Sequence, residues 1–131
     1  MPPLTPYLEA LADGDFMAGL TVLFALLIAH ALCDHPLQGD FLALHKNRKY
    51  QRVEGDLIDF TIWPYCLTVH ALIHAGGVWV VTGSPTLALV ELGLHWIIDF
   101  LKEEKVYNFH VDQLLHVLCK IGYVVYLANV G

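Results

Sequence analysis

The sequence predicts an all-α protein, a four-helix transmembrane bundle with a buried His/Asp polar site, and three observations predict it. Apolar residues gather in four long blocks rather than in alternating or amphipathic patterns. Hydrophobic residues make up 56% of the chain, mean hydropathy is +0.55 and only 15% of residues are charged, a balance beyond ordinary soluble usage. The few ionisable groups inside the blocks recur at four-residue spacing. With 131 residues, the chain reads as one integral membrane domain over 1–131.

The first span is expected at about 16–36. The segment before it, "MPPLTPYLEALADGD", holds no Lys or Arg and so lacks the positive region of a cleavable signal, which makes a retained span the expectation. The second span is expected at about 60–82, with Pro64 in the first turn, where proline is tolerated. "TGSP" then makes a tight turn into a third and shorter span at about 86–102. The fourth is expected at about 110–129. Each comes close to the roughly 20 residues that cross a hydrocarbon core.

The connecting segments set the orientation. Residues 45–56, "HKNRKYQRVEGD", carry Lys46, Arg48, Lys49 and Arg52, and "KEEKVYNFH" carries Lys102 and Lys105. Six of the seven basic residues thus lie in two loops. The positive-inside rule makes both loops cytoplasmic and puts both termini on the periplasmic side of a bacterial inner membrane. The first loop is expected to set topology and touch anionic headgroups, which makes membrane lipids the expected partners. A net charge of −6 excludes nucleic acid as a partner, because phosphates need a basic surface. Cys33, Cys66 and Cys119 are an odd, widely spaced set within or beside apolar blocks, and read as buried thiols.

Charged groups inside spans are costly, so they face the bundle interior and mark function. The first span presents His30, Asp34 and Gln38, the second Cys66, His70 and His74. The third presents Glu91, His95 and Asp99, followed by Lys102, and the fourth presents Asp112, His116 and Lys120. Residues four apart share a helix face, so each helix carries one polar stripe. In the expected topology the stripes meet at one depth, in the cytoplasmic leaflet. His70 lies roughly 12 Å into its helix at 1.5 Å per residue.

The segments "HALCDHPLQGDF", the following "HK", "VHALIH", "HWIIDFLK" and "DQLLH" resemble, in that order, the motifs of the DUF3307 family of bacterial and phage membrane proteins. The matching positions are His30, Asp34, Gln38, Lys46, His70, His95, Asp99, Lys102, Asp112, Gln113 and His116. Members commonly have Phe or Tyr where this chain has His35. The resemblance implies a small helical membrane protein and brings no activity with it.

Imidazole and carboxylate are ligands for zinc, manganese or iron, and two of them at i and i+4 chelate from one helix. The pairs His30/Asp34, His70/His74, His95/Asp99 and Asp112/His116 exceed the needs of one ion. The predicted ligands are His30, Asp34, His70, His95, Asp99, Asp112 and His116, with zinc the first choice of metal. His74, deeper than the rest, reads as a core histidine, and Glu91 as a residue toward the far interface. Lys120 reads as snorkelling or pairing with a carboxylate, and His35, His45 and His110 as interfacial or exposed.

Three function classes follow. The first is a metal-dependent hydrolase acting on a lipid or headgroup substrate, with Asp34 or Asp99 as general base. The second is a small transporter or proton relay, which with four helices would work as a homo-oligomer. The third is a structural or interaction protein, such as a phage-encoded modifier of the host membrane, whose hydrogen-bonded polar core only holds the helices in register.

Overall fold

A computed structural model describes residues 3–50 and 61–130. Arg52 and the expected start of the second span at residue 60 lie outside the described residues. The described chain is all-helical, with six helices: α1 Thr5–Ala12, α2 Phe16–Asp34, α3 Gly39–His45, α4 Trp63–Thr82, α5 Pro85–Glu103 and α6 Phe109–Val130. The four long helices coincide with the four expected spans to within a few residues. The short α1 and α3 lie outside those spans.

Local chemistry explains the boundaries. Asp15 opens α2 by accepting hydrogen bonds from the backbone N–H groups of Met17 (2.8 Å) and Ala18 (3.1 Å). Pro64 sits in the first turn of α4, and Gly83, at φ 68°, closes that helix in the left-handed conformation that glycine adopts without strain. Ser84 Oγ then caps α5 by accepting from Leu87 N–H (3.2 Å), with Pro85 in the first turn. The expected tight turn is therefore only Gly83 and Ser84. Asn108 Oδ1 accepts from Val111 N–H (2.9 Å) and starts α6.

Each long helix buries one face of period four. On α2 it is Ala18, Val22, Leu26 and His30; on α4 it is Cys66, His70, His74 and Val78. On α5 the buried residues include Glu91, His95 and Asp99, and on α6 Asp112, His116, Lys120 and Tyr123. Adjacent pairs α2/α4, α4/α5, α5/α6 and α6/α2 pack together, which is the arrangement of an up-and-down four-helix bundle. The helices α2 and α4 approach closely at Gly77, where a Cβ would stand 3.2 Å from Cys33 Sγ. One half of the core is apolar, built on Leu11, Val22, Leu26, Val78, Val81 and Leu87, and α1 closes it from outside. The other half is polar.

The surface reverses the usual order. Phe16 is 75% exposed, Val80 82% and Leu89 70%, whereas Glu91 and Lys120 are each 1% exposed. Such an exterior suits hydrocarbon and not water. Three helices, α2, α4 and α6, are long and apolar enough to cross a membrane. The fourth long helix, α5, has the length but carries Glu91, Asp99, Lys102 and Glu103.

Candidate metal centre

Five imidazoles from four helices meet in the polar half. His74 and His95 stack with ring centroids 3.7 Å apart, and His95 stacks on His116 at 4.3 Å. His30 lies 4.9 Å from His74 and 5.0 Å from His116, and His70 lies 4.7 Å from His74. All five are buried. The four-residue spacing dictates this meeting, because each helix turns its single polar stripe inward.

Carboxylates and amides set the orientation of the rings. Asp34 Oδ1 accepts from His74 Nε2 at 3.2 Å. Gln113 donates through Nε2 to Asp34 Oδ2 and Asp112 Oδ2, both at 3.1 Å, which leaves its Oε1 to accept from His30 Nε2 at 3.3 Å. With its proton on Nε2, His30 presents a bare lone pair at Nδ1, and that atom is buried without a partner. Glu91 Oε1 accepts from His95 Nδ1 at 3.2 Å, so the unpartnered buried Nε2 of His95 is likewise a lone pair. Among the described residues neither ring nitrogen of His70 has a hydrogen-bond partner, although Nε2 stands 3.4 Å from Asp34 Oδ1 and 3.5 Å from Asp99 Oδ2.

Buried polar atoms are almost always satisfied, and each exception requires an explanation. Among the described residues four of the six exceptions are imidazole nitrogens, of His30, His70 and His95, gathered in one place; the other two are Asp112 Oδ1 and Gln38 Oε1. One donor atom each from Asp34, His70, His74 and His95 falls within 4.8 Å of the others, and so does one each from His30, His95 and His116. Metal–ligand bonds of about 2.0–2.1 Å set tetrahedral ligand edges of about 3.3 Å. The Asp34 separations to His74 and His70, 3.2 and 3.4 Å, are close to that edge, and a bound ion would take the place of the proton that His74 Nε2 otherwise shares with Asp34. Glu91 and Gln113 would then do what second-layer groups do at metal sites, fixing which nitrogen faces the ion.

Of the predicted ligands, the geometry brings His30, Asp34, His70, His95 and His116 into these two groups. Asp112 stands beside them, with Oδ1 3.3 Å from His116 Nε2 and without a hydrogen bond. Asp99 has different company. It takes Lys46 Nζ at 2.7 Å and Lys102 Nζ at 3.1 Å, and reaches the cluster only through His70. His74, read from the sequence as a core histidine, belongs to the cluster; its spacing of four from His70 was the available signal. Glu91, read as lying toward the far interface, is instead buried, bound by Lys120 Nζ (2.7 Å) and Tyr123 OH (2.5 Å) as well as His95. Lys120 resolves to the carboxylate pair. His35 and His110 are exposed, and His45 is part-exposed and stacks on Phe41 at 4.2 Å.

The basic loop is also more than a topology signal. Lys46 is 3% exposed. Beside it, Asn47 donates to Glu103, Arg48 binds Glu104 through two nitrogens, and Lys49 Nζ lies 2.9 Å from Glu104. Hydrogen bonds from Arg48 and Lys49 hold the part-buried Glu104 carboxyl below the usual carboxylate range. These contacts fasten the segment after α3 to the end of α5 and deliver Lys46 to Asp99. Four carboxylates (Asp34, Glu91, Asp99, Asp112) thus face three ammonium groups (Lys46, Lys102, Lys120), so with neutral histidines the interior keeps a negative charge that a cation would offset.

Neither the curated proteins nor the solved structures contain a match to this chain. Residues 22–130, which run from within α2 to the end of α6 and include every side chain of the cluster, match the model of a family described as a protein of unknown function (DUF3307), and the chain belongs to that family.

Proposed function

We propose that the protein is a multi-pass protein of a bacterial inner membrane whose four long helices hold a divalent transition metal at the cytoplasmic leaflet, and that the metal serves hydrolysis of a lipid or headgroup substrate. The observation that carries the reading is the convergence of unpartnered, buried imidazole nitrogens of His30, His70 and His95 from three helices. A hydrogen-bonded core with a purely structural role would have satisfied those atoms. Zinc is the first choice because imidazoles with a carboxylate are its ordinary donor set; manganese and iron accept the same donors.

Counting α5 as a fourth span rests on direction. Its charges Glu91 and Asp99 turn inward while Leu89, Val90, Leu94 and Ile97 are exposed, so the face offered to lipid is apolar. Its 19 residues reach about 28 Å, close to a hydrocarbon thickness. The distribution of Lys and Arg supports a polar half on the cytoplasmic side, with both termini periplasmic. Beyond Lys120 and Tyr123 the core is the apolar cluster around Val22, Leu26 and Val78, which favours a site opening to one side over a transport route.

A bound ion would supply a water of lowered pKa and a Lewis acid for the scissile group. Asp34 belongs to the donor set, so Asp99, 3.5 Å from His70 Nε2, is the base. Asp99 would accept a proton from water as its oxygen bonds to the ester centre. The bond to the leaving oxygen breaks, and the proton held on Asp99 passes to that oxygen. Lys46 and Lys102 keep Asp99 in place, and Lys102, whose side chain is 23% exposed, offers a positive group to an anionic headgroup.

The test strips the detergent-solubilised protein with a chelator and follows its thermal transition. Adding zinc should raise the transition temperature of the stripped protein and leave His70→Ala and His95→Ala variants unmoved. No rise with zinc, manganese or iron would leave the polar core as a structural device. Asp99→Asn should keep the metal response and lose headgroup release from lipid vesicles.

A further inference from the structure

We propose that the cluster binds two divalent ions side by side, with Asp34 as the bridging carboxylate. This rests on the metal reading above and extends it from one ion to two. A ring nitrogen has one lone pair and serves one ion, so two groups sharing His95 make two sites only if each is complete without it. Both are. Asp34, His70 and His74 remain in the first. His30 and His116 remain in the second and gain Asp112, whose Oδ1 lies 3.3 Å from His116 Nε2. His95 can then finish either.

The unpartnered atoms divide the same way. One nitrogen of His70 belongs to the first site, Nδ1 of His30 and Oδ1 of Asp112 belong to the second, Nε2 of His95 serves either, and Gln38 Oε1 lies outside both. One ion in either position would leave the buried, unpartnered atoms of the other unexplained. Asp34 is built to join the two. Its Oδ1 stands 3.4 Å from His70 and 3.2 Å from His74, and its Oδ2 stands 3.6 Å from Nε2 of His30, the ring whose Nδ1 is unpartnered. Gln113 holds that orientation by donating to Asp34 Oδ2 and to Asp112 Oδ2, one carboxylate of each site, at 3.1 Å. Two ions in such a site would lie about 3.5–4 Å apart, the spacing at which paired metals act on the attacking and leaving oxygens of one substrate.

The experiment counts metal per chain in protein saturated with manganese and washed, and records its electron paramagnetic resonance spectrum. Two ions per chain with an exchange-coupled spectrum are expected. His116→Ala, or Asp112→Asn where that variant does not fold, should drop the count to one and give the six-line signal of an isolated manganese ion. One ion per wild-type chain overturns the two-ion inference and leaves the single-metal reading standing, and zero overturns both. A variant that keeps two ions, or loses both, also refutes the division of donors made here.

Discussion

At Glu91 one carboxylate serves three partners: His95 on its own helix, and Lys120 and Tyr123 on α6. With both ions withdrawn from solvent, the partners are worth most as a pair, and removing one strands the other. Glu91→Gln is expected to lower stability by about 3–5 kcal/mol, since Lys120 would remain charged and 1% exposed. Adding Lys120→Met should recover most of that loss. Denaturation of the two variants in the same detergent checks it, and equal loss in single and double variants would contradict the pairing. The sequence showed Glu91 in line with His95 and Asp99, but six residues past Pro85 it read as a residue of the far interface. What the spacing did not contain was the reach of Lys120 and Tyr123 from another helix. Lys46 was hidden for a related reason: its burial depends on α3 and on Asn47, Arg48 and Lys49 gripping Glu103 and Glu104.

Between elements, the α2/α4 contact controls how closely His30 and Asp34 approach His70 and His74. Gly77 lets the helices meet there. An added methyl would stand 3.2 Å from Cys33 Sγ and 3.5 Å from Ala29 Cβ. Cys33 has little room to yield, being buried with its thiol donating to the Ile73 carbonyl at 3.5 Å. Gly77→Ala should therefore cost about 1–3 kcal/mol by overpacking. Trimming the opposing side chain with Cys33→Ala should restore the fit. Thermal unfolding of both variants decides, and an unchanged transition for Gly77→Ala would show that the helices separate freely. The long helices themselves were legible, because each is a long apolar block and the "TGSP" turn separates the second from the third. The helix α1 was not, since a short helix before the first apolar block leaves no long hydrophobic run.

For the whole molecule, an interior of His, Asp, Glu and Lys inside an exterior of Phe, Leu and Val is the arrangement that hydrocarbon selects. The meeting of the stripes at one depth was legible because the four-residue spacing and an alternating topology leave the polar faces only one place to meet. Which atoms stay unpaired there was not, because it depends on ring orientations set by Gln113 and Glu91. The proposed topology predicts that a single cysteine at Tyr50 reacts with an impermeant reagent only in opened cells. One at Thr86 should react in intact cells, both in a variant lacking Cys33, Cys66 and Cys119. The opposite pattern would invert the orientation and put the site on the periplasmic side. The central claim is that the buried imidazoles are metal ligands, and X-ray absorption at the metal edge of the purified protein tests it most directly. The account predicts a first shell of nitrogen and oxygen at about 2.0–2.2 Å with the outer-shell scattering of several imidazole rings. A shell without imidazole scattering, or no metal edge at all, would contradict it.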